Sequence, residues 1–511
     1  MCRHFIKHIL VSCQLILLSG YSLFAQSDQQ KVKAFYKANE QQIISEYFDF
    51  VAIPNETTDS ANIKLNAAYI VNMLAKRGLQ AELLTPATGN PVVFAEVKVP
   101  GATKTINFYA HYDGQPVNPK QWSPGLKPFV PVFITAPVEQ GGQLIDYKPG
   151  TPVNPDWRIS GRASADDKAG VMCIINGYDA LIKSQLKPGC NIRFFFEGEE
   201  EKGSQHLEEI FNKYHDKLTS DIWVICDGPR HISGKKMVVF GVRGDVNMRL
   251  TVYGPRRPLH SGNYGNWAPN PGLMLAQLLA GMKDEQGHVL INGFYDDVVP
   301  LSETEKAAIR KMPPVDDALK KELGIAASEN GNQSLIEALM EPSLNINGMA
   351  SGNVGAQAAN VIPTKAEAVL DLRLVLGNDY NRQVQKVVNY IKAKGFYVTD
   401  KEPTTDERMK YNKIILVTHD VGYNAQRTPM DLLAAQAIVK AVQSTVTYPV
   451  VLTPSSGGSL PLFVFEKALG AKVITVPLVN YDNNQHAENE NVKVSCLWEG
   501  IETIAAIMQL K

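Results

Sequence analysis

The chain has 511 residues, 44% of them apolar, so it can bury a large core and exceeds the usual size of one compact domain. Its 51 Lys and Arg residues nearly balance 52 Asp and Glu residues, and the formal net charge is -1. This balance provides no electrostatic attraction to nucleic acid or to an anionic membrane. We therefore expect two domains and a small-molecule partner.

The first 25 residues have the pattern of a secretory signal peptide. A basic start precedes an apolar run at 9–18, and Ala25 stands just before polar Gln26. We expect cleavage after residue 25 and a periplasmic or extracellular protein. A lipoprotein-like box ends at Cys13, but the apolar run continues beyond it, so lipidation is the less favoured alternative. No later segment reaches the roughly 18 uninterrupted apolar residues of a membrane span.

Strand-like and helical patterns then alternate along the chain. Short apolar runs typical of buried strands are VVFAEV (92–97), TINFYAH (105–111), NIRFFF (191–196), DIWVIC (221–226) and KVITVPLV (472–479). Helical periodicity occurs at 30–50, 58–78, 168–183, 203–218 and 494–511. The alternation predicts an α/β domain with a parallel sheet that helices cover on both faces.

Residues 242–415 have a different pattern. They contain strand candidates at 246–254 and 367–375 and helical patterns at 272–283 and 380–394, with a polar insert between them. This composition predicts a smaller α+β domain inserted into the first. The catalytic domain would then consist of 26–241 and 416–511.

Metal-binding residue types follow the predicted strands, at the edge where α/β sheets bind ligands. They are His111 and Asp113 in HYDGQPV, the pair Asp166-Asp167, the acidic run EGEEEKGS at 197–204, Asp227, and His486. Each signal alone is weak, because an Asp pair before a helix, for example, is usually an N-cap. Together they form the ligand set for two zinc-like ions bridged by a shared carboxylate. Adjacent Glu200 and Glu201 can divide the roles of metal ligand and proton acceptor.

In order along the chain, these motifs resemble those of the di-zinc metallohydrolases that include carnosinase-type dipeptidases, glutamate carboxypeptidases, aminoacylases and acetylornithine deacetylases. The resemblance implies a parallel-sheet catalytic domain with an inserted ferredoxin-like lid and dimerisation domain. It also implies that Asp113 orients His111 and that Glu200 is the general base. The implied ligands are His111, Asp166 and Asp227 for one ion, and Asp166, Glu201 and His486 for the other.

Leu-His-Ser-Gly at 259–262 resembles the motif whose histidine reaches into the partner's active site in a dimer. The resemblance therefore implies a homodimer in which His260 polarises the carbonyl or stabilises the oxyanion in trans. Asn360 and Arg373 match substrate-contacting positions, and Arg suits a carboxylate because its fork binds two oxygens. The alternatives are a structural loop histidine for the first residue and structural strand positions for the other two.

The segment SSGGSLP at 455–461 resembles the Gly-Gly-Ser-Ile-Pro loop of carnosinase-type members. Gly458 and Ser459 are implied to bind a substrate's terminal carboxylate, and a plain glycine-rich turn is the alternative. The other histidines match no ligand motif, and we interpret them as surface or packing residues. The four cysteines beyond the N-terminal segment have no metal-site spacing, so we expect buried free thiols, with one disulfide left open by the export signal.

Members of this family with Asp at the position of Asp227 tend to be dipeptidases and aminopeptidases. The resemblance thus favours an exported metallopeptidase that hydrolyses dipeptides or short peptides, with an N-acyl-amino-acid deacylase as the alternative. A non-catalytic binding protein is disfavoured because all five ligands and Glu200 are present. Two divalent ions per chain are expected, Zn²⁺ first, although carboxylate and imidazole ligands also accept Mn²⁺ and Co²⁺.

Overall fold

A computed structural model describes residues 27–331, 333–458 and 460–511, so the predicted signal peptide and Ser459 lie outside the described residues. The strands are β1 (Ala81–Leu84), β2 (Val92–Val97), β3 (Thr105–His111), β4 (Val132–Ile134), β5 (Arg158–Ser160), β6 (Asn191–Glu197), β7 (Ile222–Ile225), β8 (Met237–Val239), β9 (Gly241–Val242), β10 (Gly244–Tyr253), β11 (Leu259–His260), β12 (Ser343–Ala350), β13 (Val361–Ile362), β14 (Lys365–Leu374), β15 (Tyr397–Thr399), β16 (Ile414–His419), β17 (Gln426–Arg427), β18 (Val451–Thr453), β19 (Val473–Thr475) and β20 (Asn491–Lys493).

The α-helices are α1 (Asp28–Ala38), α2 (Glu40–Ala52), α3 (Ser60–Ala75), α4 (Lys168–Lys183), α5 (Leu207–Lys213), α6 (His215–Leu218), α7 (Ser261–Tyr264), α8 (Pro271–Ala280), α9 (Glu303–Arg310), α10 (Asp316–Leu323), α11 (Leu335–Leu339), α12 (Tyr380–Ala393), α13 (Thr405–Lys410), α14 (Leu433–Ser444), α15 (Phe463–Leu469) and α16 (Val494–Met508). Short 3-10 helices occupy Val138–Gln140, Glu200–Lys202 and Gly355–Gln357. Among the helices described, none has the length and apolarity needed to cross a membrane.

An eight-stranded sheet in the order β1-β2-β6-β3-β7-β19-β8-β18 forms the larger unit. Its central strands β6, β3, β7 and β19 are parallel to one another. The sheet is mixed rather than wholly parallel, because β2 pairs antiparallel with β6 and β8 pairs antiparallel with β19. The run at 472–479 forms a strand only at Val473–Thr475, since Pro477 has no N–H to donate to a neighbouring strand.

Helices cover both faces of this sheet, which explains why its central strands are continuously apolar. In β6, Ile192, Phe194 and Phe196 belong to the main core, which also contains residues of α1 to α4, α14 and α16. Phe195 points the other way, into a core formed with α5 and α15. Successive side chains of a strand alternate between faces, so a strand buried on both sides needs apolar residues at every position.

A second, five-stranded sheet in the order β12-β14-β10-β16-β15 forms the inserted unit. The apolar residues of β10 alternate with polar ones and pack with α8 and α12 in a separate core. This α+β unit beside the mixed α/β sheet confirms the predicted fold class. Strand β16 continues to His419 while paired with β10, so the five-stranded sheet extends a few residues beyond the predicted boundary at 415/416. The chain returns to the large sheet at Thr428, whose hydroxyl donates to the Val473 carbonyl at 2.6 Å.

The polar segment between α8 and β12 forms three helices, α9, α10 and α11, which make up a helical insert. Two of them begin with capping boxes, in which Ser302 pairs with Glu305 and Ser334 pairs with Glu337. The Ser-x-x-Glu pattern is a helix-start signal visible in the sequence. Asp316 then joins α10 to α11, because its Oδ1 accepts a hydrogen bond from the Leu335 N–H at 2.7 Å.

A buried ion pair connects this helical insert to the larger unit. Arg427 on β17 donates to Glu305 on α9 at 2.9 Å, and the two side chains are 8% and 6% exposed. The guanidinium also donates to the carbonyls of Val299 and Pro300. The pair therefore holds both the start of α9 and the segment before it.

We expect Arg427→Met to lower the free energy of unfolding by about 3 kcal/mol, because it leaves the Glu305 carboxylate buried without its cation. Urea denaturation of the full chain measures this change. The exposed pair Lys365–Glu367 provides the control, since Lys365→Met should cost less than about 1 kcal/mol. Equal effects of the two substitutions would contradict a structural role for the buried pair.

Candidate metal centre

The candidate metal ligands lie where the central parallel strands end. His111 is the last residue of β3 and stands opposite Glu197, the last residue of β6. Asp227 follows β7 by two residues, and His486 lies in the loop after β19. Because these strands are parallel, their carboxyl ends share one edge, and the side chains converge there as the sequence predicted.

Three of the predicted ligands form one group around a buried histidine. The His111 Nε2 atom lies 3.0 Å from Asp166 Oδ1 and 3.9 Å from Asp227 Oδ2. One ligand atom from each of the three residues lies within 4.8 Å of the others. These distances suit a single cation between them.

A second group shares Asp166 with the first. The His486 Nε2 atom lies 3.0 Å from Asp166 Oδ2 and 3.4 Å from Glu201 Oε2. The three donor atoms again lie within 4.8 Å of one another. Asp166 therefore directs one carboxylate oxygen towards each group, which is the arrangement of a bridging carboxylate.

Asp113 connects the histidine to the glutamate pair. Its Oδ1 lies 3.3 Å from His111 Nδ1, on the ring side opposite Nε2, which lies beside Asp166. The same carboxylate accepts the backbone N–H groups of Glu200 and Glu201 at 3.2 and 3.1 Å. Asp113 thus fixes the orientation of the imidazole and the turn that carries both glutamates, a second function that the sequence did not reveal.

Glu200 and Glu201 point to different places. Glu201 belongs to the second ligand group and accepts a hydrogen bond from Gln115 at 2.7 Å. Glu200 is in neither group, although its Oε2 lies 3.9 Å from His111 Nε2 and it lines the adjoining cavity. The two neighbouring carboxylates are therefore separated as the predicted division into ligand and base requires.

Glu490 holds the loop that presents Asp166. Its fully buried carboxylate accepts four hydrogen bonds, from the backbone N–H groups of Ala163, Ala165 and Asp166 and from the Arg162 side chain, at 2.8 to 3.0 Å. Sequence reasoning missed this residue, because an acidic residue four positions after a histidine is not a recognisable signal. Asp167, the neighbour of Asp166, caps α4 by accepting from the Gly170 N–H at 3.1 Å.

The site buries more carboxylates than its histidines can neutralise. Burial, and then repulsion from Asp166, raise the pKa of Asp227 to about 6 and that of Glu201 to about 8. Burial also raises the pKa of Glu200 well above its ordinary value. Burial acts in the same direction on Asp166, but hydrogen bonds from His111 and His486 outweigh it and lower the pKa. Such an excess of buried negative charge fits divalent cations.

A cavity of about 710 Å³ adjoins the ligands. Asp166, Glu200, Asp227 and His486 line it, and so does Gly458 of the predicted carboxylate loop. His231 also lines it, although the sequence suggested a surface or packing residue. Its Nδ1 accepts the Ser233 N–H at 3.2 Å, which leaves Nε2 as the donor of the neutral ring.

Three predicted residues of the inserted unit lie apart from this cavity in the described chain. His260 on β11 is exposed, and its Nδ1 accepts the Gly262 N–H at 3.0 Å. Asn360 is its neighbour, since the Asn360 carbonyl accepts from the Ser261 N–H and β11 pairs with β13. Arg373 on β14 donates to Asp371 at 3.1 Å. The structure brings His260 and Asn360 together, but not to the metal ligands of their own chain.

Comparison with known proteins identifies a matching peptidase family and similar chains. Residues 107–510 match Peptidase family M20/M25/M40. The chain is 27% identical over 430 residues to the Cys-Gly metallodipeptidase DUG1 of Saccharomyces cerevisiae, with 82% of each chain covered. It is 26% identical over 426 residues to the Beta-Ala-His dipeptidase of Homo sapiens, covering 81% of this chain and 76% of that protein.

A solved structure is also similar, that of an M20 family metallo-carboxypeptidase, Sso-CP2, from Sulfolobus solfataricus. The TM-score is 0.73 at 27% identity, and the match covers 92% of this chain and 98% of the other. The family match spans well over half of the sequence and includes every predicted metal ligand. The chain therefore belongs to peptidase family M20/M25/M40.

Proposed function

We propose that this protein is a metal-dependent dipeptidase that uses two divalent ions per chain, Zn²⁺ being the first candidate. The observation that carries the proposal is Asp166, whose two oxygens face two separate ligand groups. Two relatives that are dipeptidases by name support the substrate class. An N-acyl-amino-acid deacylase with the same ligands remains the alternative.

The donor set fits the proposed ions. Each group contains one imidazole and two carboxylates, which suits Zn²⁺, Mn²⁺ or Co²⁺. His111, Asp166 and Asp227 would hold one ion, and Asp166, Glu201 and His486 the other. When bound, such ions polarise the scissile carbonyl and make hydroxide available near neutral pH by lowering the pKa of water.

Glu200 is the proposed general base. It lines the cavity beside both ligand groups without belonging to either, so its carboxylate is free to accept a proton from the attacking water. Its raised pKa, caused chiefly by burial, suits a group that accepts this proton and passes it to the leaving amine. Asp113 keeps the glutamate turn in place during this transfer.

The protein is proposed to work as a homodimer, in which His260 of each subunit serves the partner's site. His260 is exposed, and its occupied Nδ1 leaves Nε2 as the hydrogen-bond donor for an oxyanion. The edge strand β12 offers a pairing surface for a second subunit, because its Ile346 and Met349 side chains are exposed. Substrate contacts by Asn360, Arg373, Gly458 and Ser459, and export through residues 1–25, also stay predictions.

We expect the purified protein to contain two divalent ions per chain and to hydrolyse dipeptides with a free amino terminus, but not N-acetyl amino acids. Glu200→Gln should keep both ions and reduce turnover by about 100-fold or more, because the amide keeps the shape and loses the base. Metal analysis and a ninhydrin assay measure these quantities. Faster hydrolysis of the N-acetyl series would favour the deacylase, and one ion or none would refute the paired site.

We expect Glu490→Gln to weaken metal binding by about tenfold to 100-fold, since an amide loses two of the four hydrogen bonds that position the Asp166 loop. Chelator competition measures the affinity, and Glu488→Gln, an exposed neighbour, is the matched control. Unchanged affinity in Glu490→Gln would show that Asp166 keeps its position without this carboxylate.

Mixing two inactive variants tests the trans role of His260. His260→Ala and Glu200→Gln should each lose about 100-fold activity or more alone, and their mixture should recover about a quarter of wild-type activity. In a mixed dimer, the chain with intact Glu200 receives its histidine from the partner, so one complete site forms. The control mixture pairs His260→Ala with a chain carrying both substitutions and should stay inactive. Confirmed subunit exchange without recovery would exclude the trans role.

A further inference from the structure

The helical insert contributes one wall of the catalytic cavity. Leu319 of α10 and Leu335, Ile336 and Leu339 of α11 line the same space as Asp166 and Glu200, and Met312 precedes them. Met237 and Val239 of β8 and Val242 of β9 also line this cavity. The metal ligands thus share one cavity with many apolar side chains.

The apolar side chains of α11 are not fully buried in a hydrophobic core. Leu335 is 47% exposed, and Ile336 and Leu339 are only half-buried. Large apolar side chains that face a concave cavity are typical of binding surfaces, because a ligand that covers them removes them from water. α11 therefore has apolar area available for a substrate.

The wall lies directly against the described part of the predicted carboxylate loop, residues 455–458. A Cβ atom at Gly457 would lie 3.2 Å from both Cδ atoms of Leu339, so glycine at this position allows the leucine to approach the loop backbone. Gly457 and Gly458 line the same cavity. A substrate residue whose carboxylate reaches this loop would place its side chain beside Leu339.

The charged groups around this wall are already engaged. Arg230, the one Lys or Arg among the described lining residues, is paired with Glu499. Asp316 accepts the Leu335 N–H and stands in the first turn of α10, where the helix dipole stabilises its charge. His231 is kept neutral because burial lowers its pKa. A substrate side chain packed against the leucines of α10 and α11 would lose its hydration, and none of these ionisable groups offers it an unpaired charge in return.

We infer that α10 and α11 select dipeptides whose C-terminal residue has a large apolar side chain, such as leucine or phenylalanine. This inference rests on the proposed function and adds a substrate class to it. The insert would bring the apolar wall to the metal centre, and residues 455–458 would hold the carboxylate of the same substrate residue.

The test compares Ala-Leu with Ala-Asn, because the two C-terminal side chains have nearly the same shape and differ in polarity. We expect kcat/KM for Ala-Leu to exceed that for Ala-Asn about tenfold or more, with Ala-Gly also well below Ala-Leu. Equal values for the three substrates would overturn the inference while leaving the dipeptidase intact. Absence of hydrolysis of any dipeptide by protein with two bound ions would instead overturn the proposed function.

Substitutions in the wall identify the residues responsible. Leu339→Asn and Leu335→Asn should each lower the ratio of kcat/KM for Ala-Leu to that for Ala-Gly about fivefold or more, because the wall loses apolar contact area. Leu335 is the safer site for folding, since it is already half exposed. Leu323→Asn is the matched control, because Leu323 lies on α10 outside this cavity and is 65% exposed. An unchanged ratio in both wall variants, or the same decrease in the control, would overturn the assignment.

Discussion

Burial of excess negative charge at the ends of β3, β6, β7 and β19 is the constraint on which the site depends. Carboxylates rarely lie so close together inside a protein unless cations or hydrogen bonds compensate them. Here the structure supplies compensation for only some of them. Asp166 interacts with two histidines, and Glu490 is satisfied by four donors, whereas the pKa values of Asp227 and Glu201 are raised. Two divalent cations would balance the remainder.

The metal ligands and the apolar wall come from different regions of the chain. The ligands stand on the ends of buried strands or on turns fixed by Asp113 and Glu490, so their positions follow from the core. The apolar wall comes from short helices joined to the larger unit by the Arg427–Glu305 pair.

Two residues that we propose to act on a partner's site lie outside the cavity of their own chain. His260 and Asn360 occupy one exposed corner of the inserted unit, where β11 pairs with β13. Arg373 is paired with Asp371 on its own strand. A second subunit would bring this corner to a neighbouring site, and dimerisation and catalysis would then depend on each other.

The sequence by itself indicated the candidate metal ligands, because strand period and parallel pairing bring residues that follow apolar runs to one edge of a sheet, and the family resemblance implied their division into two groups. It also determined the two-unit fold. Only the tertiary structure decided the antiparallel pairing of β2, the extension of β16 to His419, and the four donors that Glu490 accepts. Only the structure, likewise, placed α10 and α11 beside the metal ligands. These features depend on contacts between residues distant in sequence, which local periodicity and motif spacing do not encode.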